Sequence, residues 1–276
     1  MILVTGATGN VGRALVDTLA ADGHRVRAIA RTPDRAALPA SVDVVQADLS
    51  APETVSGALA GVDKLFLLGA FSTTGDVLDR ARQAGVGHVV LLTSRCVIGG
   101  APDNAVTRMW LDAESAVERS ELPWTILHPS GFHSNALRWL PQLRQGDAVR
   151  APWPGVPIAS IDPADIAAVA ATVLVDGGYE GAALQLSGPE ALTPSDMVGT
   201  LAEVLRRPLR YEPLADADAR RAMAADTPPE VVDALFRFFS DGEFDDAGVV
   251  DTVLEVTGRR ARTFRRWAED HADELC

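Results

Sequence analysis

The first twelve residues, MILVTGATGNVG, constrain this chain more than any other stretch. Ile2, Leu3 and Val4 make a short apolar, β-branched run, the pattern of a buried strand. Gly6, Gly9 and Gly12 follow at intervals of three, and Ala14, Leu15, Leu19 and Ala20 then recur at helical spacing. A strand that runs through a glycine turn into a helix start is the geometry that cradles a dinucleotide pyrophosphate. Glycine permits the tight turn and close backbone approach, and the helix N-terminus offers free N–H groups to an anion. Gly6, Thr8, Gly9, Asn10, Val11 and Gly12 are therefore expected against a cofactor.

Strand and helix signals keep alternating. Residues 25–30, 42–47, 65–68 and 88–92 read as strands, and 124–128 and 183–186 add two more. Connections of this length imply parallel pairing with helices on both faces. The expected fold is an α/β, Rossmann-type doubly wound parallel sheet, a single unit over 1–276. Residues 133–160 and 188–245 are expected to form a smaller, interleaved C-terminal substrate lobe over the strand ends. Within it, 194–240 reads as helical and irregular.

Side chains at the carboxyl ends of parallel strands face the ligand crevice. After the second strand an acidic residue bonds the adenosine 2′-hydroxyl, whereas an arginine favours a 2′-phosphate. Arg31 and Arg35 stand there and no acid does, so NADP(H) is preferred over NAD(H). Asp48, followed by Leu49, closes the third strand; it either accepts from the adenine amino group or caps the turn near Pro52. Leu68, Gly69, Thr93 and Pro129 at later strand ends are expected along the rest of the cofactor.

Composition narrows the partners. The 276 residues are 47% hydrophobic, enough for a sizeable core. A net charge of −13 argues against nucleic acid and against an anionic membrane surface. Cys96 and Cys276 lie far apart and form no metal or redox motif. Met1 leads directly into the first strand, and no apolar run reaches membrane-spanning length. A soluble cytoplasmic protein with a small-molecule substrate is expected.

Together these residues resemble the atypical short-chain dehydrogenase/reductases, in particular the NmrA-like subgroup. That subgroup includes bacterial NAD(P)H:quinone oxidoreductases and azoreductase-like proteins. Val4–Gly12 matches the opening motif, Asp48-Leu49 matches an "AD" after the third strand, and 120–129 resembles an "SGL-WT-LRP" strand with His128 where Arg is usual. Residues 257–264 are similar to the closing "G-x-x-x-x-(S/T)-F" helix entry. Classical short-chain dehydrogenase/reductases reduce carbonyls with a Ser and a YxxxK pair. The resemblance places Ser94 at the serine position but Trp110 at the Tyr position and Glu114 at the Lys position. The only tyrosines, Tyr179 and Tyr211, and the only lysine, Lys64, lie elsewhere.

Hydride transfer chiefly needs a held nicotinamide, since the cofactor carries the hard step. A quinone or conjugated aromatic ketone accepts hydride without a strong acid, because the resulting anion is delocalised. Ser94 is expected to bond the carbonyl oxygen. His133 is the expected proton donor, with His128 more structural. Glu114 is expected on the ribose hydroxyls or, alternatively, on the helix surface. Trp110, Phe132, Asn135, Trp139 and Trp153 are expected around a flat substrate, with lobe packing the alternative for the aromatics. The expected function is an NADPH-dependent reductase acting on a quinone or ketone of a polycyclic aromatic substrate. A non-catalytic NADP(H)-sensing regulator is the alternative. An isomerase or dehydratase with tightly bound cofactor is a further one.

Overall fold

The computed structural model describes residues 1–33, 36–69 and 71–275. Ile2–Val4 (β1) leads into Asn10–Ala21 (α1), followed by Val26–Ala30 (β2), Asp43–Gln46 (β3) and Lys64–Leu68 (β4). Thr74–Gln83 (α2), His88–Leu92 (β5), Cys96–Gly99 (α3), Ala105–Arg119 (α4) and Trp124–Pro129 (β6) complete the second half of the sheet. Leu140–Leu143 (α5), Ala148–Ala151 (β7), Pro163–Asp176 (α6), Ala182–Leu186 (β8), Pro194–Leu205 (α7) and Arg210–Pro213 (β9) follow. Asp216–Met223 (α8), Pro229–Phe239 (α9), Thr252–Thr257 (α10), Phe264–Asp270 (α11) and Ala272–Leu275 (α12) end the chain.

The main sheet has seven parallel strands in the order β3-β2-β1-β4-β5-β6-β8. This is the expected doubly wound arrangement with one strand added at the edge. Its side chains alternate between two cores, as the two-residue period of a strand requires. Ile2, Val4, Phe66, Val90 and Leu92 face α1 and α6, while Leu3, Leu65, Leu67, Val89 and Leu91 face α2 and α4. Strands buried on both faces read as unbroken apolar runs, and β4 and β5 do so in KLFLL and HVVLL. Each fully buried Leu, Val or Phe stabilises the fold by about 1.5–3 kcal/mol over an exposed one.

The sheet order reverses beside β1, which pairs with β2 on one side and β4 on the other. The crevice at the strand carboxyl ends opens at this switch point.

The lobe differs from the helical and irregular expectation. Among the described residues, β7 and β9 form a two-stranded parallel sheet from Ala148–Ala151 and Arg210–Pro213. The lobe core also takes Phe264, Trp267, Ala268 and Leu275, beyond the 133–160 and 188–245 expected for it. No helix among the described residues is long and apolar enough to cross a membrane.

Candidate active site

The glycine turn has the backbone its residues imply. Gly6 sits at φ +62°, where an L side chain is strained. A Cβ on Gly12 would lie 2.2 Å from the Gly6 carbonyl oxygen, so the first turn of α1 presses directly on the loop. Gly9 is the N-cap of α1 and supplies no capping side chain. The first-turn amides are thus left for an anion. Thr8, Gly9 and Asn10 are exposed, whereas the Val11 side chain is buried in the core, leaving its backbone to the turn. Asn10 Nδ2 donates to Ser134 Oγ at 2.8 Å, joining the turn to the segment after β6.

Arg31 is exposed immediately after β2. Asp48 Oδ1 accepts from the Ser50 N–H at 2.9 Å and the Ser50 hydroxyl at 2.7 Å. These bonds hold its carboxyl below the usual value, with Arg31 adding to the effect. The cap expected of Asp48 near Pro52 is not formed: Ala51 is the N-cap of the 3-10 turn Pro52–Val55, with no side-chain cap, and Asp48 closes its own turn onto Ser50 instead. Leu49 is buried with its side chain in the α2/α4 core. Arg35 lies outside the described residues.

At β4, the Leu68 N–H donates to Thr5 Oγ1 and the Gly69 N–H to the Leu92 carbonyl. A Cβ on Gly69 would meet Leu91, Ala113 and the Leu92 oxygen at 3.1–3.3 Å. Glycine is required there for α4 to pack over the strand ends.

The β5 and β6 ends carry a network that sequence reasoning placed only in part. The Thr93 hydroxyl donates to Glu114 Oε1 at 2.7 Å, and His128 Nε2 meets the same oxygen at 2.9 Å. The Glu114 and His128 side chains are 13% and 7% exposed. Glu114 is thus a half-buried carboxylate held between two strand ends rather than an exposed helix-surface group. Ser94 is half-buried, and its Oγ accepts from the Cys96 N–H at 3.4 Å. Burial, with smaller contributions from Asp246 and Glu114, pushes the Cys96 thiol up. Pro129 is buried at the end of β6, Trp110 and Phe132 are half-buried, and Asn135 is exposed.

Three expectations are corrected. His133 is 0% exposed, edge-on to Phe264 at 5.4 Å, and both ring nitrogens lack partners. Burial pushes it down to about 4, so it is a neutral core imidazole with no proton to give near neutrality. Trp139 packs partly buried on the lobe core. Trp153 is enclosed by Phe236 at 5.3 Å and Phe239 at 4.7 Å, and its indole N–H donates to Ser240. Among the described residues, no hydrogen bond or ring contact brings either tryptophan to the strand ends. Lys64 and the tyrosines are engaged elsewhere: Lys64 donates to the Leu174 carbonyl, Tyr211 to that of Ala151, and Tyr179 packs on the main core.

Asp246 and Arg95 were missed. Asp246 is 5% exposed, accepts from the Gly131 N–H at 3.0 Å and lies 3.8 Å from Arg95, whose guanidinium also donates to the Gly248 carbonyl. Burial pushes its carboxyl up to about 6. In sequence, Asp245-Asp246 is indistinguishable from a solvated coil.

Residues 6–177 match a family model described as NAD(P)H-binding. A (4-alkanoyl-5-oxo-2,5-dihydrofuran-3-yl)methyl phosphate reductase of Streptomyces griseus subsp. griseus is 42% identical over 281 residues, covering 99% of this chain and 98% of that one. An NAD(P)H azoreductase of Xenophilus azovorans is 35% identical over 283 residues, with coverage of 99% and 98%. The solved NADPH complex of an Escherichia coli quinone oxidoreductase superposes with a TM-score of 0.82 at 26% identity, covering 99% of this chain and 100% of that one. This chain belongs to the NAD(P)H-binding family. It is an NAD(P)H-dependent oxidoreductase.

Proposed function

We propose that this oxidoreductase reduces an electron-poor conjugated carbonyl compound, a quinone or a ketone of a polycyclic aromatic, with NADPH. One observation carries the reading. The positions of the usual proton-donating pair hold Trp110 and Glu114, and Glu114 is already engaged by Thr93 and His128. An acceptor whose anion is delocalised is the kind that needs no strong acid. The names of the similar reductases, for a furanone phosphate, azo compounds and quinones, point the same way.

Bound NADPH supplies the hydride. The Gly6–Gly12 turn and the first-turn amides of α1 bind the pyrophosphate, and Arg31 binds the 2′-phosphate. Leu68, Gly69, Thr93 and Pro129 flank the rest of the cofactor. Ser94 Oγ accepts from the Cys96 N–H, and its hydroxyl is the group proposed to donate to the acceptor oxygen. Trp110, Phe132 and Asn135 are the side chains proposed around the substrate.

The test is a panel of quinones, aromatic polyketide ketones and isolated aliphatic ketones, with NADPH consumption followed optically. Turnover confined to the conjugated acceptors is expected. Equal or better turnover of isolated ketones would show that a strong acid operates and would sink the reading.

A further inference from the structure

We propose that Glu114 tunes the bound cofactor by charge, favouring the oxidised nicotinamide over the reduced one and so promoting hydride donation. This rests on the reading above that the nicotinamide lies over the ends of β5 and β6. In a doubly wound sheet each half binds one mononucleotide. The adenosine half here is β1–β3, marked by Arg31, which leaves the β4–β6 half to the nicotinamide.

Glu114 is built as a half-buried charge. Its Oε1 receives two hydrogen bonds, from the Thr93 hydroxyl at 2.7 Å and from His128 Nε2 at 2.9 Å. A carboxylate oxygen accepts two such bonds, and they compensate for the water it has lost. Thr93 is 3% exposed and His128 5%, so solvent screens the site little. Neither partner carries a fixed charge. The position that by resemblance holds a lysine ammonium in the classical members thus carries a carboxylate here.

The charge acts on the redox step directly. The reduced nicotinamide ring is uncharged and the oxidised ring carries +1. Two electrons and a proton leave the ring carbon as hydride and bond to the acceptor carbon. The acceptor's π electron pair moves to its oxygen, which takes a proton from water. A nearby carboxylate attracts the ring only after hydride has left. An ammonium at the same place would oppose that change.

His128 sharpens the proposal. By resemblance, Arg is usual at this position, and a guanidinium is always charged. Arg beside Glu114 would cancel its charge, whereas an imidazole brings no fixed charge.

Calorimetric titration of NADPH and NADP+ into wild-type protein and variants tests this without turnover. Glu114→Gln keeps both hydrogen-bond acceptor contacts and removes the charge. It is expected to weaken NADP+ about fivefold or more relative to NADPH. His128→Arg, a separate route to the same neutralisation, is expected to shift the ratio in the same direction. Glu114→Asp keeps the charge and is expected to hold the ratio within about twofold of wild type. An unchanged ratio in Glu114→Gln and His128→Arg, or equal weakening of both cofactors, would overturn the proposal. So would a shift in Glu114→Asp as large as in Glu114→Gln. The acceptor panel uses wild-type protein, so its outcome and this one are read independently.

Discussion

Arg31 is exposed just after the end of β2 and has no ion-pair partner among the described residues. A charge-assisted bond to a 2′-phosphate gives it an effect on NADPH that NADH cannot show. Arg31→Ala is expected to weaken NADPH by about 1.5 kcal/mol, roughly tenfold, and to leave NADH nearly unchanged. Fluorescence titration of both cofactors measures this, and equal losses would remove Arg31 from the 2′-phosphate. Ser94→Ala is expected to lower turnover with a quinone by tenfold or more, on the order of one lost donor to developing charge. NADPH affinity should stay within about twofold, because Ser94 makes no bond to the glycine turn. Full turnover in that variant would exclude the hydroxyl from the reaction. At this scale the sequence carried residues whose role is backbone or position: Gly6 and Gly12 are marked by spacing, and Arg31 by its place after a strand. Residues whose role depends on an unrelated neighbour were hidden. Nothing near Glu114 in the chain announces Thr93 or His128, and His133 looked reachable because its burial by Phe264 and Trp267 comes from over a hundred residues away.

Among the elements, α4 carries Trp110 and Glu114 and is fixed at its start by Asn104. The Asn104 side chain accepts from the Val106 and Thr107 amides, and its Nδ2 donates to the Ala234 carbonyl at 3.0 Å and to Glu243 Oε1 at 2.9 Å. One fully buried side chain thus caps α4 and docks α9 of the lobe on it. Asn104→Ala is expected to cost roughly 2–4 kcal/mol, a lost cap plus two buried partners left unpaired. Urea unfolding reads the cost, and a loss below about 1 kcal/mol would mean the network is not maintained in solution. This cap is hidden in the sequence, because Asp103-Asn104 sits in a polar stretch with no apolar stripe yet begun. Strands β1, β4, β5 and β6 were legible because they are buried on both faces. Strands β7 and β9 were not: each has four residues, and RYEP shows a polar, half-exposed pattern. Their pairing joins residues about sixty apart and exists only once the lobe has formed.

Across the whole molecule, the segment after α9 ties lobe and sheet together at the mouth of the crevice. Asp246 accepts the Gly131 N–H and approaches Arg95, its backbone oxygen accepts from Ala159, and Val250 reaches Ser187. The Asp246 carboxyl lies at about 6 instead of 3.8 because burial penalises its charge, with Arg95 opposing and Asp245 adding to the rise. Asp165, at the start of α6, is pushed up to about 6 by burial as well. A carboxyl whose folded value lies above its unfolded one binds more protons in the folded state. Its contribution to stability is complete below about 3.8 and is lost as pH rises through about 6. The protein therefore carries a penalty from both groups at neutral pH and above, up to about 3 kcal/mol for Asp246. Asp246→Asn keeps an acceptor for the Gly131 N–H and removes the titration. Its melting temperature relative to wild type is expected to rise between about pH 5 and pH 8, while the Asp165 share of the pH dependence remains. Calorimetric melts at the two pH values decide the matter. The same difference at both would mean that the Asp246 carboxyl is solvated, and that the strap does not close over it in solution.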